Sequence, residues 1–283
     1  MTTPQPHQIF DRRAYWRRRA RELPAKPDQF LVREAAEQIF TRLSSINRRF
    51  SSALDLNSRS ESFELFRAAA QSWTRSGDAA LADVAADDER LAFRDGSFDL
   101  VTSVLSLHAV NDLPGTLLQI RRVLKPDGVF MAALFGGDTL HELRMAFTAA
   151  EAAALGGASP RVAPFADVRE LGGLLQRAGF ALPVADVERT TVWYREPMRL
   201  MADLRALGET NVLVQRRRNF LSRRLLAGVI AEYLQRFSDE QGKVPATFDI
   251  VYLIGWGPHE NQPKPLRPGS AKTRLADVLK PKH

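Results

Sequence analysis

Phe98-Asp-Leu-Val-Thr-Ser-Val-Leu-Ser-Leu107 and Leu124-Lys-Pro-Asp-Gly-Val-Phe-Met-Ala-Ala-Leu-Phe135, with a helical pattern between them, decide the fold of this 283-residue chain. The first stretch predicts a strand over 98–107, entered through the Asp95-Gly96 turn. A helix is predicted over 113–124, with Pro114 in its first turn and Lys125-Pro-Asp-Gly128 stopping it, and a strand over 129–135 follows. Strands alternating with helices imply crossover connections, and hence strands that lie side by side and parallel. The expectation is an α/β protein built on a mainly parallel sheet.

Working outward, Leu31, Ala35, Ile39, Leu43 and Ile46 recur at helical spacing and predict an amphipathic helix over 30–46, ahead of a short buried strand over 52–56. Downstream, helices are predicted over 139–155 and 168–178 and strands over 182–194 and 247–256. A helical insertion over 197–240, with helices at 198–207 and 220–237, separates those last two strands. Residues 55–87 hold about one strand-helix-strand unit of roughly 30 residues. The fold is therefore expected to be shortened after its first strand. Its parts read as a basic N-terminal helical segment (1–48), a main domain (49–256) and a Pro-rich basic tail (257–283).

The composition, 45% hydrophobic and 26% charged, suits a globular core. With no cysteine, disulfides, cysteine-ligated metals and thiol catalysis are excluded. No apolar run reaches the ~18 residues of a membrane span, and residues 1–8 lack the apolar core of a signal peptide. A cytoplasmic location is expected, extending to peripheral contact at the inner membrane face. The net charge of +7 gathers at 12–21, at 216–218 with 223–224, and in the tail from 264 to 282. Such clusters suit an acidic partner protein, an anionic membrane or nucleic acid, or serve only as solvated surface. Aromatic interleaving is thin, which argues against nucleic acid.

Ala53-Leu-Asp-Leu-Asn-Ser-Arg-Ser-Glu61 stands where a nucleotide cofactor loop belongs and has no glycine. Such a loop uses glycines to turn tightly and to let the backbone approach the ligand. Asn57, Ser58, Arg59 and Ser60 put side chains there instead. One reading is a degenerate cofactor loop. The other is a plain connection, with Asn57 or Ser58 as N-cap and Glu61 in the first turn of a helix. Asp78 is the one acid near the expected ribose position, yet Ser76 and Gly77 suggest a turn there. Among polar residues, His108 follows a strand at the ligand edge and is a candidate base or a structural histidine. Gly136-Gly137-Asp138-Thr139 frees the backbone after a buried strand, and Asp138 or Thr139 is expected to cap the next helix, presenting its N–H groups to a ligand or merely closing a turn. His141 is a further candidate. No metal site is expected, because His108, His141 and His259 or Glu260 lie on distant segments.

Ala53-Leu-Asp-Leu56, Asp87-Asp88 before Leu91-Ala-Phe93, Ser97-Phe-Asp-Leu-Val101 and Leu124-Lys-Pro-Asp-Gly128 resemble class I S-adenosylmethionine-dependent methyltransferases. Ser103-Val-Leu-Ser-Leu-His-Ala-Val-Asn-Asp-Leu-Pro114, Phe135-Gly-Gly-Asp-Thr-Leu-His-Glu-Leu-Arg144 and Ile254-Gly-Trp256 with His259-Glu260 resemble more specifically the complex I assembly arginine hydroxylases, over nearly the whole chain. The resemblance implies a Rossmann-like sheet of seven strands with the last antiparallel. It implies S-adenosylmethionine as cofactor, at Asp55, Asn57, Ser58, Arg59, Asp87, Asp88, Ser103 and Ser106, and a respiratory complex I subunit as partner. Mitochondrial members modify an arginine on the core subunit adjoining the quinone site. With the loop degenerate, three functions stay open: a partner-binding or partner-modifying protein with weakened cofactor binding, an active methyltransferase, and an assembly chaperone without chemistry.

Overall fold

The computed structural model describes residues 8–22, 30–77 and 82–263, and over them seven strands form one sheet. β1 (Phe50–Leu56), β2 (Ala70–Gly77), β3 (Val84–Ala85), β4 (Phe98–Val104) and β5 (Leu124–Phe135) are parallel, in spatial order β3-β2-β1-β4-β5. β6 (Ala181–Tyr194) and β7 (Val244–Trp256) complete it, with β7 antiparallel between β5 and β6. All seven residues of β4 are buried, because helices cover both faces of the sheet and leave an alternating strand no polar side.

On one face, α2 (Phe30–Ser44), α5 (His141–Leu155), α7 (Pro197–Ala206) and α8 (Arg223–Phe237) share a core with Phe50, Leu100, Met131 and Phe248. On the other, α4 (Leu113–Val123) and α6 (Val168–Arg177) pack on Leu54, Val101, Phe130 and Leu253. α3 (Ser60–Phe66) follows β1 and buries Phe66 in the first core.

Three local expectations are corrected. The strand predicted over 98–107 ends at Val104; Leu105 turns with φ 48°, and a short 3-10 turn, Leu107–Ala109, carries the chain over the sheet edge. Lys125-Pro-Asp-Gly128 ends the helix but belongs to β5, with Asp127 at φ 60° and Gly257 paired back to Asp127 and Gly128. Ser76-Gly77 is the end of β2 and no turn. The shortening lies after it, where six residues separate β2 from its parallel neighbour β3 in the sequence. Asp78 and the tail from 264 to 283 lie outside the described residues.

Candidate functional site

Ligands of open α/β sheets bind outside the carboxyl ends of the parallel strands, and two spaces open there. The first lies over β1 and β4. Asp55, at the end of β1, is buried and accepts a hydrogen bond from Thr102 Oγ1 at 3.1 Å. Asn57 turns the chain with φ 57°, a conformation asparagine tolerates better than most residues. Its side-chain amide donates to Asp88 at 3.4 Å. Ser58 Oγ accepts from the Val104 N–H at 3.2 Å, and Ser103 and Ser106 join hydroxyls at 2.9 Å. Neither Asn57 nor Ser58 is the N-cap of α3; that position is Arg59, without a side-chain cap bond, because both expected caps are bonded elsewhere. Arg59 is buried and donates to the Leu207 carbonyl.

What fills this space is α1 (Arg12–Glu22). Arg12 reaches Asp87 at 2.6 Å and Asp88 at 3.4 Å, and also the Ala109 carbonyl at 2.9 Å. Arg19 donates to the carbonyls of Leu105 (2.9 Å) and Asn57 (3.1 Å) and to Tyr15 Oη (2.8 Å). A separate space of about 20 Å³ lies at the ends of β1 and β2, lined by Asp55, Asn57, Ser58, Arg75, Ser76 and Gly77. The basic cluster at 12–21 is thus split, Arg12 and Arg19 turning inward while Arg13 and Arg17 stay exposed. α1 is also tied to the insertion: Phe10 and Leu213 form an antiparallel bridge, with Asp11 N–H to Val212 O at 2.8 Å, Val214 N–H to Ile9 O at 2.9 Å and Arg216 on Asp11 at 2.9 Å.

Charge in this space follows burial. Desolvation lifts the Asp55 carboxyl to about 6 against the hydrogen bonds from Ser58 and Thr102. Burial raises Asp88 too, against the pull of Arg12. At Asp87 burial also acts upward, but the hydrogen bond and charge of Arg12 outweigh it and hold the carboxyl below its ordinary range.

The second space, about 230 Å³, lies over β5 and is lined by Phe10, Phe135, Leu143, Phe147, Phe165 and Phe248 among others. His108 stands in its wall. Its Nε2 meets Glu209 at 3.1 Å, its ring centroid is 4.8 Å from that of Phe135, and its buried Nδ1 has no hydrogen-bond partner among the described residues. Burial raises the Glu209 carboxyl, but the charges of His108, Arg19 and Arg59 outweigh it and hold the group low.

Asp138 and His141 do not join His108. Asp138 is exposed and paired with Arg189 at 2.6 Å, and His141 packs edge-on to Phe237. Nor does Asp138 or Thr139 cap α5: the N-cap is Leu140 at φ 55°, while Thr139 Oγ1 exchanges bonds with the Asp249 backbone at 3.1 Å. Gly136 is required by packing, since a Cβ there would stand 2.7 Å from Val251 Cγ2. Among the described residues no group of three or more His, Asp or Glu is placed to hold a metal ion. Sequence reasoning missed Arg12, Tyr15, Arg19 and Glu209. The spacing of 12, 15 and 19 on one helical face was the available signal for the first three; nothing local marks Glu209.

A family model described as a methyltransferase domain matches residues 43–132. The chain is 40% identical over 298 residues to the mitochondrial arginine-hydroxylase NDUFAF5 of Homo sapiens, over 99% of this chain and 86% of that protein. To the counterpart from Danio rerio it is 45% identical over 197 residues, which are 70% of this chain and 61% of that relative, so this match spans under two thirds of the relative's length. Among solved structures, the YcgJ protein from Bacillus subtilis is similar at a TM-score of 0.54 and 13% identity, over 79% of this chain and 99% of that one. That last likeness is one of fold alone.

Proposed function

The chain belongs to the arginine-hydroxylase NDUFAF5 family and has the Rossmann-like fold of class I methyltransferases; from that premise we propose that it binds a respiratory complex I subunit, to hold or modify it, with S-adenosylmethionine binding weakened or lost. One observation carries the reading. Arg12 and Arg19 occupy the crevice between Asp88, Asn57 and Leu105. With α1 in place, the Asp88 carboxylate and the Asn57 carbonyl, groups that a cofactor at these strand ends would meet, are taken by arginines.

Calorimetry of the full chain with S-adenosylmethionine tests this. No heat is expected up to about 1 mM ligand, and saturable micromolar binding overturns the reading. Mass spectrometry of arginines on complex I subunits, with and without this gene, separates modifying from holding: an unchanged mass in both strains leaves the assembly chaperone.

A second reading, an active S-adenosylmethionine-dependent methyltransferase, has one observation in its favour. Among the described residues Oδ1 of Asp88, which is buried, has no hydrogen-bond partner, a demand that a ligand amino group would meet. It requires α1 to leave the crevice, so an Arg12→Ala/Arg19→Ala variant that gains cofactor binding would support it. The location proposed with either reading is cytoplasmic, peripheral at the inner membrane face, and cell fractionation tests it.

A further inference from the structure

A third space, a cleft of about 840 Å³, opens beside the mouth of the apolar cavity; Arg161, Arg205, Thr210 and Asn211 line both. Seven arginines and a single carboxylate, Asp11, line this cleft. They come from α1, from the loop before α6, and from the insertion on either side of residue 210, so the fold gathers charge from distant parts of the chain. Internal pairing accounts for part of it. Arg216 is held by Asp11 and Arg161 by Glu151, while Arg18 bonds Thr210 at 2.9 Å and the Asn211 carbonyl. Arg17, Arg205 and Arg217 are exposed and have no ion pair among the described residues. Beside them Phe220 is fully exposed. Arginine with an exposed aromatic is the composition protein interfaces favour.

We propose that this cleft docks an acidic segment of a partner protein, with one apolar side chain of that segment seated in the cavity below. The sign of the charge selects an acidic occupant. It excludes the chain's own residues 264–283, which carry six Lys or Arg against one Asp. The concave shape does not match a planar bilayer. The rings of the cavity do not suit a nucleobase either: His108, Phe135 and Phe165 meet at 54° to 74° and offer no parallel pair of faces to stack between. The inference deepens the partner-binding part of the reading above and rests on it for the partner's identity.

The test is fluorescence anisotropy of the full chain with a labelled peptide of Glu, Asp and Gly carrying one central Leu. Saturable binding is expected. It should weaken roughly tenfold or more in Arg17→Glu/Arg217→Glu, which turns two attractions into repulsions at exposed positions, and weaken again when the peptide's Leu is replaced by Gly. The proposal is overturned by absent binding, by binding indifferent to the double reversal, or by displacement of the peptide at lower concentration by an oligo-dT strand or by phosphatidylglycerol vesicles. Should arginine masses on complex I subunits depend on the chain but not on Arg17 and Arg217, the docking site fails and the functional reading stands. Should the peptide bind as expected while those subunits are neither captured nor altered, the docking site stands and the functional reading fails.

Discussion

Above β1 the chain packs two arginines, a tyrosine and two aspartates into the ligand crevice, whereas above β5 a cavity of about 230 Å³ stays open and apolar. Both lie on the same edge of the same sheet, so the fold alone does not decide which is filled. The difference comes from the side chains. Where the loop after β1 has Asn57 to Arg59 in place of glycines, α1 supplies buried charges that satisfy its carbonyls and acids. Over β5, the insertion brings Met201, Leu204 and Val212 to wall a new space. Function is carried by such sites and not by the architecture beneath them.

Breaking the filled side should cost most. Arg12→Leu removes the cation facing Asp88, which is fully buried, and is expected to lose about 3–5 kcal/mol in urea denaturation. Adding Asp88→Asn should recover much of that, and a loss under about 1 kcal/mol for the single variant would mean that Arg12 merely rests in the crevice. Asp55 works in the opposite sense. Its folded carboxyl titrates near about 6, above the unfolded value of 3.8, so the folded chain holds more protons in between, and stability falls as pH rises through that window. Asp55→Asn is therefore expected to stabilise by about 2–3 kcal/mol near neutral pH and by nothing below about pH 3, as paired thermal melts would read.

A matched pair of enlargements compares the two spaces directly. Ser58→Leu has no room and loses the acceptor for the Val104 N–H, for about 2–3 kcal/mol, while Ala163→Leu grows into the open cavity and should change stability by less than about 1 kcal/mol. Equal losses in chemical denaturation would erase the contrast. The smallest effect is expected of Asn57→Gly: less than about 1 kcal/mol, since relief of the φ 57° conformation offsets the long amide bond to Asp88. Calorimetry on this variant is expected still to find no S-adenosylmethionine binding, since in the proposed reading it is α1 that closes the crevice.

Much of this was readable from local pattern. The alternation of strand and helix from Phe98 to Phe135 gave the parallel sheet. β2 was obscured because Ala70 to Gly77 is largely polar and half-exposed near the sheet's edge, so its end read as a turn. Asp138 and Thr139 have the chemistry of helix caps, but Thr139 is bonded to β7, 110 residues away. The contact of Arg12 with Asp87 spans 75 residues. No periodicity encodes such pairings, and a run of arginines near a terminus reads as surface until the fold shows which face is covered.

The bridge between Phe10 and Leu213 joins the lid of one space to the wall of the other. A molecule that lifts α1 must also loosen the insertion segment at residues 212–214, and an occupant that braces that segment holds α1 down. The two spaces are therefore antagonists by linkage: whatever factor a cavity ligand takes from crevice affinity, a crevice ligand takes from the cavity.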